Sequence, residues 1–484
     1  MSAGRLPAWA TGDLPEPPRS TPRNTLRVIG RGAVLLAFSV GAGEWLLGPA
    51  AVAGYGATIL WITTASVVLQ ALLNTEMGRY TLYTGEPIFT GFLRTAPGPT
   101  FWGWTYAGLH LLQIGWPGWA LAAATAMTAL FLGRVPDEGD RVVVLYFGYL
   151  TFLASVLLVL VGETAEKTLE YAQWFMICWI LAVLLLTGLF LVPADVWVTA
   201  GAGFLSPLLG SPFFPPGVDW FLLAGFAAYA GAGGTINATF THWLRDKGFG
   251  MSGTVGYVQG IIGGQRVNLS STGVVFPPSE ENLRRWKGWW RYLRADQWYI
   301  WTPGCIVGMG LPALTTLTFI QPGTTMGGYG IAAYQAQALA EHYGPVLWFL
   351  TLLNSFWILF STQLGNTEGF ARVTTDILWA SNDRIRAWRG GNVRTVHYSA
   401  LLAFAAWGCI AIALTDPLTL ILIGANVATW NLVILSAHTL VVNRKFLPRE
   451  LRPPLWREAG LALSGLFFLG FALFALGQRV LAMW

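Results

Sequence analysis

About eleven stretches of this chain are each near the roughly 20 apolar residues needed to cross a bilayer, and nothing else in the sequence limits its fold as strongly. They run near 30–54, 58–82, 102–132, 142–162, 170–193, 219–243, 297–320, 344–368, 397–414, 417–442 and 457–481. Lipid offers the backbone no hydrogen-bonding partner, so each stretch must satisfy its own N–H and C=O groups, which means helices. Charged residues make up 11% of the chain, against about 25% in soluble domains. The 25 Trp and 28 Phe suit aromatic belts at two membrane interfaces. The expected fold class is an all-α polytopic membrane protein. Proline- and glycine-rich connections lie near 196–218 and 321–343, and a longer polar insertion covers about 244–296.

The segment before the first span is polar and proline-rich, as in Leu14-Pro15-Glu16-Pro17-Pro18, and has no apolar core of a signal-peptide type. Its composition predicts a disordered cytoplasmic arm over 1–28. Cys178, Cys305 and Cys409 all fall in apolar spans. Their odd count and wide spacing support neither a disulfide framework nor a zinc site, and they read as small core residues. With the N-terminus in the cytoplasm and alternating spans, 26 of the 29 Lys and Arg residues collect on the cytoplasmic side. That imbalance predicts an integral protein of the plasma (inner) membrane with a cytoplasmic N-terminus. The net charge of +5 is then a topology signal, and without a soluble basic domain it implies no nucleic-acid partner. The run Leu283–Arg294 interleaves basic and aromatic residues, which predicts an interfacial helix against membrane lipids, anionic headgroups included. Lipid-surface anchoring by snorkelling side chains accounts for the same pattern.

Two of the spans are interrupted by glycine. One contains Gly41-Ala42-Gly43-Glu44-Trp45 and the other Gly231-Ala232-Gly233-Gly234-Thr235-Ile236-Asn237, with the Gly-Ala-Gly core repeated 190 positions apart. Glycine weakens a helix interior by about 1 kcal/mol relative to alanine. Matching breaks in two halves of a membrane chain point to paired discontinuous helices at the bilayer midplane, where inverted-repeat transporters bind their solutes. Repeat one would then cover about 30–193, repeat two about 219–442, and an extra helix about 457–481, all within one transmembrane domain over 29–484.

Glu44 is the sharpest candidate, because a carboxylate at midspan faces either a partner or a wet cavity. Binding a substrate cation is one reading; satisfaction by the exposed amides of the break, or by a basic residue, is the other. Gly41, Ala42, Gly231 and Gly234 would offer freed backbone groups, and Thr235 and Asn237 neutral oxygens. Glu44, Thr235 and Asn237 form the candidate metal ligands. Asn426, in Gly424-Ala425-Asn426, could reach a central cavity or pack between helices. His242 lies near the end of its span beside Arg245 and Asp246, and is a proton or gating candidate or a hydrogen-bonded packing residue. His110 reads as a satisfied core residue. Glu76 with Arg79, and Glu368 with Arg372, have the spacing of structural ion pairs on a helix face. Gly263-Gly264 is followed by no Lys-Ser/Thr pair, so there is no phosphate-binding loop of the ATPase type. No nucleophile or cysteine–histidine cluster suggests an enzyme or a cofactor.

At these residues the chain resembles the natural resistance-associated macrophage protein family of metal-ion transporters. The resemblance rests on Gly41-Ala42-Gly43-Glu44-Trp45 followed by Gly54-Tyr55-Gly56 and Leu60-Trp61, and on Gly231-Ala232 through His242. It implies a LeuT-type fold with five-plus-five inverted repeats and secondary transport driven by a gradient. It also marks departures. Gly41 stands where the family has its metal-binding Asp, Glu44 replaces its Asn, and Thr235 and Asn237 stand at its Met and first His; only His242 keeps the family's residue. The third span has no Asp or Glu where the family carries proton-route carboxylates. With no soft thioether, one carboxylate and neutral oxygens suit a hard cation such as Mg²⁺ or Mn²⁺. The expectation is a transporter of a small cation. The alternatives are a carrier of a small organic solute, such as an amine or amino acid, and a non-transporting membrane sensor.

Overall fold

A computed structural model of the chain describes residues 6–19, 41, 43–161, 166–255 and 273–482. Regular structure is almost wholly helical. The two strands among these residues, β1 (Ala10–Thr11) and β2 (Val274–Val275), pair in parallel with Ala10 opposite Val274. In chain order the principal helices are α1 (Gly48–Tyr55), α2 (Trp61–Thr84), α3 (Ile88–Leu93), α4 (Pro99–Ile114), α5 (Gly118–Leu132), α6 (Arg141–Val161), α7 (Glu166–Leu191) and α8 (Ala194–Gly203). They continue with α9 (Trp220–Tyr229), α10 (Thr235–Asp246), α11 (Glu280–Ala295), α12 (Thr302–Phe319), α13 (Tyr334–Tyr343), α14 (Pro345–Ser381), α15 (Val393–Ala411), α16 (Pro417–Phe446) and α17 (Leu455–Leu481).

Among the described residues, seven helices are long and apolar enough to cross a membrane, and an eighth arises if α7 and α8, bent by 118°, count as one span. The sequence leads to eleven, and the difference has local causes. The first half of span one lies outside the described residues. Span six is split into α9 and α10, each too short to cross alone. Span nine, α15, opens with Arg394 and His397, which lower its apolar content. Pro193 caps α8 and has no N–H to continue the preceding helix, so the chain turns sharply there. The connections near 196–218 and 321–343 hold α8 and α13, despite their prolines and glycines.

The outer helices carry large apolar side chains on their open faces: Val142 is 77% exposed on α6 and Leu466 65% on α17. A water-soluble domain rarely leaves such a surface uncovered, whereas lipid covers it without cost. The inner layer is α2, α4, α9, α10, α14 and α16, which pack against one another around the breaks. Asp and Asn caps set several starts: Asp219 accepts from the N–H groups of Phe221 and Leu222, and Asp416 from that of Thr419.

Two expectations need correcting. Residues 6–19 of the supposed disordered arm are packed: Leu14 is fully buried, and the segment lies along α11. Composition shows that the segment cannot build a core of its own; it cannot show that α11 lends it one. The second correction concerns Leu283–Arg294. It is not a separate interfacial helix, because α11 runs through the π-helical turn Asp296–Trp301 into α12 as one helical stretch. Its apolar face, with Trp286, Trp289 and Tyr292 buried, is turned to protein. Of the cysteines, Cys305 is buried and Cys178 exposed, so the core reading holds for the first and fails for the second.

Candidate functional site

Span six is broken where the glycines stand. α9 ends at Tyr229 and α10 starts at Thr235; between them Gly233 and Gly234 have φ of +80° and +55°. Only glycine enters that region readily. A helix end leaves N–H and C=O groups without partners, and in lipid these must be met by other protein groups. Two glutamines meet them here. From α2, Gln70 donates to the carbonyl of Ala228 (3.0 Å) and accepts from Gly233 N–H (3.1 Å). From the last turn of α4, Gln113 donates to Gly233 carbonyl (2.8 Å) and accepts from the N–H and hydroxyl of Thr235 (2.9 and 3.0 Å). Asn431 of α16 also donates to Gln113, at 2.8 Å. The glycines leave room for these amides: a Cβ on Gly231 would lie 2.7 Å from Gln70 Oε1, and one on Gly234 would strike Gln113.

The span-one stretch meets this break closely. A Cβ at Gly43 would collide with the backbone carbonyl of Tyr229, so glycine there allows the two chains to touch. Gly41 lies outside a helix and approaches Thr362 of α14. Gly43–Leu47 is π-helical and leads into α1. Ala42 lies outside the described residues. Glu44 is 1% exposed. Its Oε2 accepts from Gly41 N–H at 2.8 Å, while Oε1 is buried with no hydrogen-bond partner among the described residues. A π-helical turn inside a span often marks a functional site.

The remaining candidates separate. Thr235 faces α4, its hydroxyl 2.8 Å from His110 Nδ1 and bonded to Gln113. Asn237 turns to α2, donating to Asn74 Oδ1 at 2.9 Å; Asn74 in turn donates to Gln297 at 2.9 Å. Asn237 Oδ1 is buried without a partner among the described residues. Asn426 donates to Phe221 and Leu422 carbonyls, both at 2.9 Å, which is the packing alternative for that residue. His242 is seven residues beyond Thr235, about 10 Å along the helix. There its Nε2 is 3.4 Å from Asp376 on α14, which also pairs with Arg245 at 2.9 Å. Arg372 joins Asp246 (3.2 Å) and Glu368 (3.0 Å) in the same cluster, tying α10 to α14. His242, Glu86, Arg245 and Asp376 line a cavity of about 60 Å³. The Glu76–Arg79 pair is present at 2.7 Å, with Arg457 of α17 added at 2.6 Å.

Sequence reasoning missed Gln70, Asn74 and Gln113. A signal existed: Ser66, Gln70 and Asn74 recur every four residues in an apolar span, so they share a helix face. Ser66 bonds the carbonyl of Ala227, completing that face against α9. Polar side chains are costly in a membrane helix, and such a stripe marks what the helix touches.

No protein-family model matches the chain, and no curated protein matches it. Among solved structures it is similar to the manganese transporter of Eremococcus coleocola. A mutant of that protein superposes with a TM-score of 0.59 at 15% identity, covering 98% of this chain and 90% of that one. The same transporter in complex with an aromatic bis-isothiourea substituted compound gives 0.60 at 14% identity, covering 99% and 91%. The likeness establishes the fold: an all-α polytopic membrane protein of the LeuT type.

Proposed function

We propose that this protein is a secondary transporter, related to the natural resistance-associated macrophage proteins, that carries a small hard cation such as Mg²⁺ or Mn²⁺ between its two glycine breaks. The observation that carries the reading is Glu44: a buried carboxylate at a π-helical turn, with one oxygen held by Gly41 and the other without a partner among the described residues. Buried polar atoms are nearly always satisfied, so an orphan carboxylate oxygen beside a break is a place for a cation. Asn237 Oδ1, on the other break, is a second such oxygen. The similarity in fold to a manganese transporter supports the same solute class. Thr235 contributes less to this reading than to scaffolding, since its hydroxyl is already engaged. Among the described residues no three His, Cys, Asp or Glu side chains are arranged to hold a metal ion by themselves. A hard ion here would keep water and backbone carbonyls in its shell.

The fraction of Lys and Arg on one side supports a cytoplasmic N-terminus, with the insertion on the same side. Labelling of Lys287→Cys from outside intact cells would overturn that orientation. Transport is tested by uptake into proteoliposomes. Saturable Mn²⁺ or Mg²⁺ flux that competes between the two ions supports the reading. Flux of an amine or amino acid without cation flux would make the protein an organic-solute carrier, and binding without flux would make it a sensor.

A further inference from the structure

Residues 6–19 are gripped mainly through their backbone. Arg285 donates to the carbonyl of Leu14 (2.9 Å), Trp289 to that of Pro15 (2.9 Å) and Tyr292 to that of Pro18 (3.1 Å), while Leu14 N–H donates to Asn282 Oδ1 (3.0 Å). Those four receptors are spaced three and four apart along α11, so they form one face. Gly288 lies on that face too, and a Cβ there would come within 2.5 Å of the Pro17 ring. Glycine weakens a helix interior, and the seat it leaves for Pro17 accounts for its presence.

The other end of the segment holds the turn after α2. Arg94 donates to Pro7 carbonyl at 2.7 Å, and Trp9 stacks 4.7 Å over the Arg94 guanidinium and 5.5 Å from Phe446 at the end of α16. Arg94 Nε bonds Glu86 at 2.9 Å. Glu86 also accepts from Tyr80 hydroxyl (2.6 Å) and Gly273 N–H (2.9 Å), and Ala10 N–H donates to Gly273 carbonyl at 3.1 Å through the β1–β2 pairing. Glu86 is also a wall of the cavity shared with His242, Arg245 and Asp376. A chain of direct contacts thus runs from the N-terminal segment to that cavity.

We infer that residues 6–19 are a latch. Seated on α11, the segment holds the Glu86–Arg94 turn, one wall of the cavity at the foot of α10, in place; unseated, it frees that turn and lets that wall move. That this movement serves solute passage rests on the transport reading; the latch itself does not. The exposed pairs of Glu16 with Arg284 and Arg285 add little to the grip. Leu14, fully buried, and the carbonyl contacts carry it.

The test is hydrogen–deuterium exchange on the full chain in nanodiscs, comparing the parent with a deletion of residues 2–19, Gly288→Leu and Leu14→Asp. Exchange over 84–95 should rise about tenfold or more in all three. Glu16→Lys should change it by about twofold or less. A synthetic peptide of residues 2–19 should restore slow exchange in the deletion protein, and the same peptide with Leu14→Asp should not. Unchanged exchange over 84–95 in the deletion protein overturns the latch, as does an equal rise over 457–481, which would mean general loosening. Gly288→Leu keeps a strong helix former in α11, so it reads the latch if Leu14→Asp does not fold. Faster exchange without cation flux in either parent or deletion protein supports the latch and removes the cation-transport reading.

Discussion

The two glycine stretches differ in how their backbones are satisfied. At span six, Gln70 and Gln113 reach in from α2 and α4 and meet the freed groups of Ala228, Gly233 and Thr235 with neutral amides. At span one, the chain supplies its own carboxylate: Glu44 meets Gly41 N–H with one oxygen, and the other has no partner among the described residues. One glycine stretch is met by neutral amides from other helices, the other by a carboxyl group of its own. On the cation reading proposed above, the carboxylate supplies the charge and Asn237 Oδ1 a neutral oxygen. Glycine marks where a span can break, and the residues that approach the break decide what it is for.

The largest expected effect comes from Gln113→Leu, which strips partners from Gly233 carbonyl, Thr235 N–H and Asn431 at once. Each buried group left unmet costs about 1–3 kcal/mol, so the change should destabilise by about 3 kcal/mol or more and lower the melting temperature by several degrees. A thermal melt close to the parent would mean that the span-six break is not held by its amides. Next is Gly43→Ala, whose Cβ would collide with Tyr229 carbonyl and push the breaks apart. Overpacking of this kind costs about 1–3 kcal/mol. It should weaken cation binding as well as stability, and both can be read in a melt with and without Mn²⁺. Asn426→Ala should cost only about 1 kcal/mol and leave ion affinity unchanged, since both of its donor contacts are interhelical or local backbone. A large loss of affinity there would return Asn426 to the site. The smallest expected signal is proton movement. α4 and α5 contain no carboxylate, so a pH-sensitive dye in proteoliposomes should show little substrate-dependent acidification.

The helical membrane fold was legible because lipid leaves the backbone few alternatives and apolar length records the spans directly. The break of span six was legible for the same reason that it exists: Gly233 and Gly234 at positive φ. The partners of the break were harder to see. Gln113 belongs to a helix 120 residues away from Gly233, and no local pattern states which end of α4 will face α9. The N-terminal segment misled for a different reason. A proline-rich stretch of low hydrophobicity has no core of its own, and its order comes from the seat that Gly288 and the Trp289–Tyr292 face provide. His242 lies near the end of α10 with Arg245 and Asp246, but Asp376, its partner from α14, is 134 positions later, and no spacing in the sequence points to it.

The central claim is that Glu44 supplies the charge that holds a cation, and binding of Mn²⁺ to Glu44→Gln, measured by isothermal titration beside a thermal melt, tests it most directly. The substitution keeps the size of the side chain and removes its charge. A contact to a charged group is worth about 1.5–3 kcal/mol, so affinity should fall roughly 10- to 150-fold at about 1.4 kcal/mol per decade, with the melting temperature of the ion-free protein nearly unchanged. A well-folded Glu44→Gln protein that binds Mn²⁺ as tightly as the parent would contradict the account.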